Sequence, residues 1–338
     1  MNENHPVLTA QQTAALLSEP KNTVILFHAR PDGDAVGSAF ALRALLQKMG
    51  MQAFCLCADE VPARLRFLTD GVQQSVLESA LPDDFRIERV VSVDTASPAQ
   101  LGSLADRWLT RVDMMIDHHA VGTPYAPAWV DPAASATGEL LFSLSRLWLE
   151  SGVIDSIPEA VDTCLYAAIA SDTGGFRYSN VTERTFLCAA ELRRCGVDTP
   201  TVNHLLFECK PMAQLRAEHL GFARMQLWHG GRVAVIPFPY ALKTEHGIAD
   251  AQLETLVDVG RSVAGVEIVL VVRQPADTGS FRVSTRSSGA FCVSSLCARF
   301  GGGGHAKAAG CTVMAQSMEE ALTILSAALD EEIALQDA

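Results

Sequence analysis

The chain has 338 residues, 49% of them hydrophobic and 19% charged, and it carries a net charge of −13 at pH 7. That length suits two domains of about 150 residues, and the composition excludes wholesale disorder. The negative sign argues against long duplex DNA or a membrane surface as partner, because both are held through many Lys and Arg contacts to phosphate. No apolar run reaches the ~20 residues of a membrane span. The N-terminus, MNENHPVLTAQQ, has neither the basic nor the apolar region of a signal peptide. The nine cysteines (Cys55, Cys57, Cys164, Cys188, Cys195, Cys209, Cys292, Cys297 and Cys311) are odd in number, scattered and without a C-x-x-C. They read as reduced thiols of a cytoplasmic protein rather than a disulfide framework or a zinc site.

In chain order, Thr23–Phe27 is a β-branched run of strand length. The loop His28–Asp34 follows, and Ala35–Met49 reads as a helix stopped at Gly50. Gln52–Cys57, Arg89–Val93 and Val112–Ile116 read as further strands, with a short helix at Pro98–Leu104. Gly138–Glu150, Pro158–Ala170 and Glu183–Cys195 have helical periodicity. This alternation predicts an α/β fold whose larger N-terminal domain has a mostly parallel sheet flanked by helices on both faces. Thr201–Trp228 is helical and mixed in polarity, with Pro211 interrupting it, and reads as a connector. After Gly230-Gly231 the pattern restarts with strands at Val233–Phe238, Val266–Arg273 and Phe281–Ser287. Helices are expected near Ala251–Val259 and Val293–Phe300, then a loop Gly301–His305 and a strand near Cys311–Met314. The last helix opens at Ser317-Met-Glu-Glu320, a capping-box pattern. The expected organisation is a catalytic domain over 1–196, a helical connector over 197–229 and a smaller α/β domain over 230–338.

The informative feature is where the acids sit. His28-Ala-Arg-Pro-Asp32-Gly-Asp34 follows the first strand, Asp94 follows VVSV, and Asp117-His118-His119 follows VDMMI. In an open parallel sheet the carboxyl ends of the strands form the ligand-binding crevice. A further candidate, Asp172, follows the helix expected to end at Ala170. Singly, an Asp after a strand is an ordinary N-cap or turn residue. Together these carboxylates would repel one another, and their pKa values would rise without a cation. The donor set is rich in oxygen, includes imidazole and lacks thiolate. That suits Mn²⁺ first, with Mg²⁺ or Co²⁺ as alternatives, and is compatible with zinc or iron. Six ligands with one shared carboxylate suffice for two metals about 3.5–4 Å apart, the arrangement used in phosphoryl hydrolysis.

These motifs resemble those of the DHH phosphoesterase superfamily over nearly the whole chain. His28-x-x-Pro-Asp32-x-Asp34 with Gly37-Ser38 is similar to the family's first motif, and Val93-Asp94 to its second. Asp117-His118-His119 is the triplet that names the family. Ser135-Ala-Thr137-Gly-Glu139 resembles the Ser/Thr-rich helix start after it, and Ala170-Ser-Asp172-Thr-Gly-Gly-Phe-Arg177 the fourth motif. Ser284-Thr-Arg286-Ser, Gly301-Gly-Gly-Gly-His305 and Ala308-Ala-Gly310 are similar to the DHH-associated, nucleotide-binding domain.

The resemblance implies that His28 and Asp32 hold one metal, that Asp34, His118 and Asp172 hold the other, and that Asp94 bridges them. It implies that His119 faces the substrate phosphate and that Asp117 orients its neighbours. Water activated between the metals would attack the phosphorus in line. In the C-terminal domain, Ser284, Arg286, Gly302, Gly303, Gly304 and His305 are the implied substrate contacts. Four glycines alone make a flexible turn, but they also let backbone N–H groups approach a phosphate. Arg286 would bind phosphate through its fork of donors. Arg177 would pair either with substrate or in a surface salt bridge, and Lys307 reads as a solvated side chain. A two-domain chain of this length is most similar to bacterial oligoribonucleases (nanoRNases) that also dephosphorylate 3′-phosphoadenosine 5′-phosphate (pAp). The implied partners are therefore short oligoribonucleotides and nucleotide bisphosphates, with a homodimer as one open assembly. The alternatives are a linear or cyclic di-adenylate phosphodiesterase, a RecJ-type exonuclease, and a nucleotide sensor without turnover.

Overall fold

A five-stranded, all-parallel sheet organises the first of the two units into which the chain divides after Cys209. The structure is a computed structural model and describes residues 5–336. The strands are β1 (Thr23–Leu26), β2 (Ala53–Leu56), β3 (Arg89–Val93), β4 (Met114–Asp117) and β5 (Ala128–Val130), in the order β2-β1-β3-β4-β5. Every residue of β1, β3 and β4 is buried, which is why they read as continuous apolar runs rather than alternating ones. The helices of this unit are α1 (Ala10–Ser18), α2 (Gly33–Lys48), α3 (Ala105–Trp108), α4 (Thr137–Glu150), α5 (Glu159–Asp172), α6 (Glu183–Arg194) and α7 (Thr199–Asn203). Ile25, Phe27, Val91, Val93 and Ile116 face a core shared with Leu42, Leu45, Leu140 and Leu165 of α2, α4 and α5. Val24, Leu26, Leu56 and Val90 face the other way, against Leu101, Leu104 and Trp108.

Two glycines let α2 and α5 approach closely. A Cβ on Gly37 would stand 2.5 Å from the Cys164 carbonyl oxygen, and one on Gly33 would stand 2.5 Å from Ser171 Cβ. This crossing carries the carboxyl end of α5 to the start of α2. The helix runs on past Ala170, so Asp172 is its last residue rather than part of the following loop.

The second unit has a mixed six-stranded sheet. Its strands are β6 (Gln226–Trp228), β7 (Val233–Phe238), β8 (Ile268–Arg273), β9 (Ser280–Ser287), β10 (Gly303–His305) and β11 (Ala308–Met314). They lie in the order β10-β11-β9-β8-β7-β6, with β7 and β8 the parallel pair. Val235, Leu270, Val272 and Val283 pack on α11 (Val293–Ala298) and α12 (Met318–Gln336). Ala234, Ile236, Val269 and Val271 pack against Ala217, Leu242 and Leu256. Those three residues come from α8 (Met212–Ala223), α9 (Tyr240–His246) and α10 (Leu256–Arg261).

Three stretches depart from the sequence reading. The expected loop at Gly301–His305 contains β10, and the end of the expected helical stretch contains β6. The stretch 197–229 divides at Cys209, with α7 in the first unit and α8 in the second. Among the described residues, no helix is long and apolar enough to cross a membrane.

Candidate metal centre

Because β1, β3 and β4 run parallel in level register, their carboxyl ends open on one rim. Leu26 lies beside Ser92 and Val93 beside Ile116, so the residues just beyond each strand meet. His28 Nδ1 lies 3.0 Å from the Ala29 carbonyl oxygen, which turns Nε2 inward. Nε2 is 3.6 Å from Asp32 Oδ1 and 3.4 Å from Asp94 Oδ2. Asp32 is the N-cap of α2, and its Oδ1 accepts from the N–H groups of Asp34 and Ala35, each at 3.0 Å. His118 Nε2 lies 3.8 Å from Asp34 Oδ2, 3.7 Å from Asp94 Oδ1 and 3.3 Å from Asp172 Oδ2.

Three sets of donors therefore converge: His28–Asp32–Asp94, Asp34–His118–Asp172 and Asp94–His118–His119. Within each set the donor atoms lie within 4.8 Å of one another. Asp94 belongs to two of them. It is buried and holds a left-handed backbone, φ +55°, which is costly for any residue but glycine.

The electrostatics describe a cluster with too much negative charge. Burial and the neighbouring Asp94 push the Asp34 carboxyl up to about 7, with His118 opposing them. Loss of solvent, with Asp34, Asp32 and Asp94 close by, drives Asp172 well above the usual carboxylate range. Burial lowers the basicity of His28, but hydrogen bonds to Asp32 and Asp94 outweigh it and push it up to about 12. His118 is raised against its own burial by Asp34 and Asp94. A pair of divalent cations would relieve this repulsion, and the oxygen-and-imidazole donor set fits Mn²⁺ or Mg²⁺.

Neighbouring residues hold the cluster in place. Asp117 is buried and its Oδ1 accepts from His119 Nδ1 at 2.7 Å, which fixes that ring and directs Nε2 away from Asp117. Asp34 accepts from Ser38 Oγ at 2.9 Å and from the N–H groups of Thr137 and Gly138 at 2.6 and 2.9 Å. Thr137 Oγ1 donates to Asp94 Oδ1 at 3.0 Å. Asn180 Nδ2 donates to the carbonyl oxygens of Ser135 and Asp172 at 3.0 and 3.1 Å, tying the start of α4 to the end of α5. Sequence reasoning noted the motif around Thr137 without a role for it and passed over Asn180 altogether. An asparagine eight residues past Asp172 carries no local signal.

The remaining predicted residues lie on their own elements. Ser284 and Arg286 alternate along β9 with the buried Val283 and Thr285, so they face away from that core. Arg286 Nη1 donates to the Thr285 carbonyl oxygen at 2.9 Å. Gly303, Gly304 and His305 form the exposed edge strand β10 of a hairpin with β11. Gly304 has φ +141°, and a Cβ there would stand 2.5 Å from the Ala308 carbonyl oxygen. A Cβ on Gly302 would stand 2.3 Å from the Gly310 carbonyl oxygen, so both positions require glycine. Lys307 is more than a solvated side chain: it donates to the carbonyl oxygens of Gly289 and Phe291. Arg177 is exposed, donates to the Gly174 carbonyl oxygen and lies 5.9 Å from the Phe207 ring centre.

Comparison with known proteins identifies the domains of the chain. The DHH family N-terminal domain matches residues 22–169 and the DHHA1 domain matches residues 232–331. The bifunctional oligoribonuclease and PAP phosphatase NrnA of Thermus thermophilus is 26% identical over 310 residues, covering 91% of this chain and 89% of that protein. The cyclic-di-AMP phosphodiesterase GdpP of Geobacillus thermodenitrificans is 29% identical over 317 residues, covering 86% of this chain and 44% of that protein. The crystal structure of an exopolyphosphatase-related protein from Bacteroides fragilis superposes with a TM-score of 0.87 at 22% identity, covering 97% of each chain, a likeness of fold. With a DHH domain followed by a DHHA1 domain, the chain belongs to the DHH phosphoesterase family.

Proposed function

We propose that this protein hydrolyses short oligoribonucleotides to mononucleotides and pAp to AMP. The observation that carries the reading is the convergence of Asp32, Asp34, Asp94, His28 and His118, at the carboxyl ends of parallel strands, with Asp172 at the end of α5. DHH family proteins are metal-dependent, and two divalent cations, Mn²⁺ foremost, fit this donor set. Bound there, such a pair supplies Lewis acidity and lowers the pKa of coordinated water.

In this reading His28, Asp32 and Asp94 hold one cation, and Asp34, His118, Asp172 and the shared Asp94 hold the other. His119 offers Nε2 to a phosphate oxygen, because Asp117 engages Nδ1 and keeps the ring oriented. Arg286, Ser284, His305 and the backbone of Gly302–Gly304 bind the nucleotide, and Arg177 assists at the phosphate. The similarity to NrnA along most of both chains supports the oligoribonuclease and pAp activities. Five of the nine cysteines are buried thiols, which supports a reducing, cytoplasmic setting.

The similarity to GdpP favours one second reading, a phosphodiesterase acting on cyclic or linear di-adenylate. A substrate panel separates them: pAp, ribonucleotides of two to five residues, a 24-mer RNA, cyclic di-AMP and pyrophosphate, each with Mn²⁺. The proposal expects pAp and the short oligomers to give the highest kcat/KM. A preference for cyclic di-AMP would replace it, and equal or faster turnover of the 24-mer would point to a processive exonuclease.

A further inference from the structure

A helix is ordinarily capped by the side chain of its own N-cap residue. At α4 the N-cap is Ala136, which has no side-chain donor or acceptor. The cap comes instead from Asp34, 103 and 104 residues away, whose carboxylate accepts the N–H groups of Thr137 and Gly138. The Thr137 hydroxyl takes no part in the cap. It is fully buried, and its Oγ1 donates to Asp94 Oδ1 at 3.0 Å.

Thr137 thus grips both central carboxylates, Asp34 through its backbone and Asp94 through its side chain. Asp94 Oδ2 stands 3.4 Å from His28 Nε2, on the side of the His28–Asp32 set. Its Oδ1 stands 3.7 Å from His118 Nε2, on the side of the other set. One donor therefore fixes the rotation of the carboxylate common to the His28–Asp32–Asp94 and Asp94–His118–His119 sets.

We propose that Thr137 is a positioning residue whose hydroxyl holds Asp94 in the orientation that lets it serve two cations at once. This rests on the two-metal reading above. The hydroxyl acts on the donor atoms, not on substrate, so its loss should appear first in metal binding. A partner of this kind, outside the ligands themselves, is worth about 10- to 100-fold in metal affinity or activity.

The test compares Thr137→Val, which keeps the shape and removes the donor, with Thr137→Ser, which keeps the donor. Mn²⁺ binding is followed by calorimetry, and magnetic coupling between two bound Mn²⁺ ions by electron paramagnetic resonance. Thr137→Val should bind the second Mn²⁺ at least about tenfold more weakly and lose the coupled signal, and Thr137→Ser should recover most of both. If Thr137→Val does not fold, Thr137→Ala takes its place, since alanine is favourable inside a helix. Wild-type affinity and coupling in the hydroxyl-free variant would overturn the proposal, as would equal losses in the serine variant. Failure of the wild-type protein to bind two Mn²⁺ ions would instead overturn the two-metal reading itself.

Discussion

The two units treat their candidate functional groups in opposite ways. In the first, Asp34, Asp94 and Asp117 are at most 3% exposed, and each is engaged by named donors. In the second, Gly303, Gly304 and His305 lie on an exposed edge strand. The difference follows from chemistry. Groups that must hold cations at fixed separations gain from rigid, mutually hydrogen-bonded neighbours. Groups that recognise a ligand's phosphate or sugar gain from open backbone and long side chains. A parallel sheet buried on both faces suits the first task, and the edge of a mixed sheet suits the second.

That contrast predicts a graded set of failures. The largest follows chelation. Dialysis against excess EDTA should abolish hydrolysis of every substrate, and Mn²⁺ should restore it better than Ca²⁺, whose larger and looser coordination fits poorly. Full turnover in EDTA would remove the metal centre from the comparison.

Asp94→Asn should come next. It removes charge from both donor sets while nearly preserving shape, so kcat should fall by at least ~10³ with the circular dichroism spectrum unchanged. Wild-type kcat in this variant would deny Asp94 its shared role.

Arg286→Ala sharpens the contrast between the units. Loss of a charged hydrogen bond should cut kcat/KM for pAp by about 10- to 100-fold. It should change hydrolysis of bis-p-nitrophenyl phosphate far less, because that ester has no nucleotide to hold. Equal losses on both substrates would assign Arg286 a structural part.

A more gradual effect is expected in pH. Asp34 is raised to about 7, so below pH 7 the metal-free protein holds a proton there that a cation must displace, and Asp172 is shifted in the same direction. Mn²⁺ affinity should therefore weaken as pH falls from 7 toward 5.5, by at most about tenfold per pH unit for each proton released. Calorimetry in buffers of different ionisation enthalpy measures that release. An affinity flat across this range, with no protons released, would mean the cluster binds cations from an already ionised state.

Much of this was legible in the chain. β3 and β7 fall on their predicted residues, because continuous apolar runs in buried strands leave little doubt about register. The acidic strand ends were visible because parallel strands bring their carboxyl ends together whatever lies between them. The exceptions have specific causes. β5 has three residues and β6 is embedded in helical text, so neither has room for a periodic signal. α1 does carry a capping box, Thr9 with Gln12, but lies in a polar N-terminal stretch. β10 is a strand only through its pairing with β11, and glycine-rich text reads as a loop until that partner is known. Thr137 reaches Asp94 and Asp34 across 43 and 103 residues, and no pattern in one sequence reports such distances.

The glycine crossing of α2 and α5 sets a tolerance on the chemistry. Asp34 rides near the start of one helix and Asp172 at the end of the other. Their separation is therefore determined by how far apart two helix backbones stand, not by a loop that can relax. With a Cβ on Gly37 reaching to 2.5 Å of the Cys164 carbonyl, even one methyl group would force the helices apart. Such a change would alter the width of the metal site without touching a ligand. If these carboxylates hold cations, the choice among them would be governed partly by this spacer. Variation that retunes the site should appear as paired, compensating changes in side-chain size along these two helices, with the ligands themselves left alone.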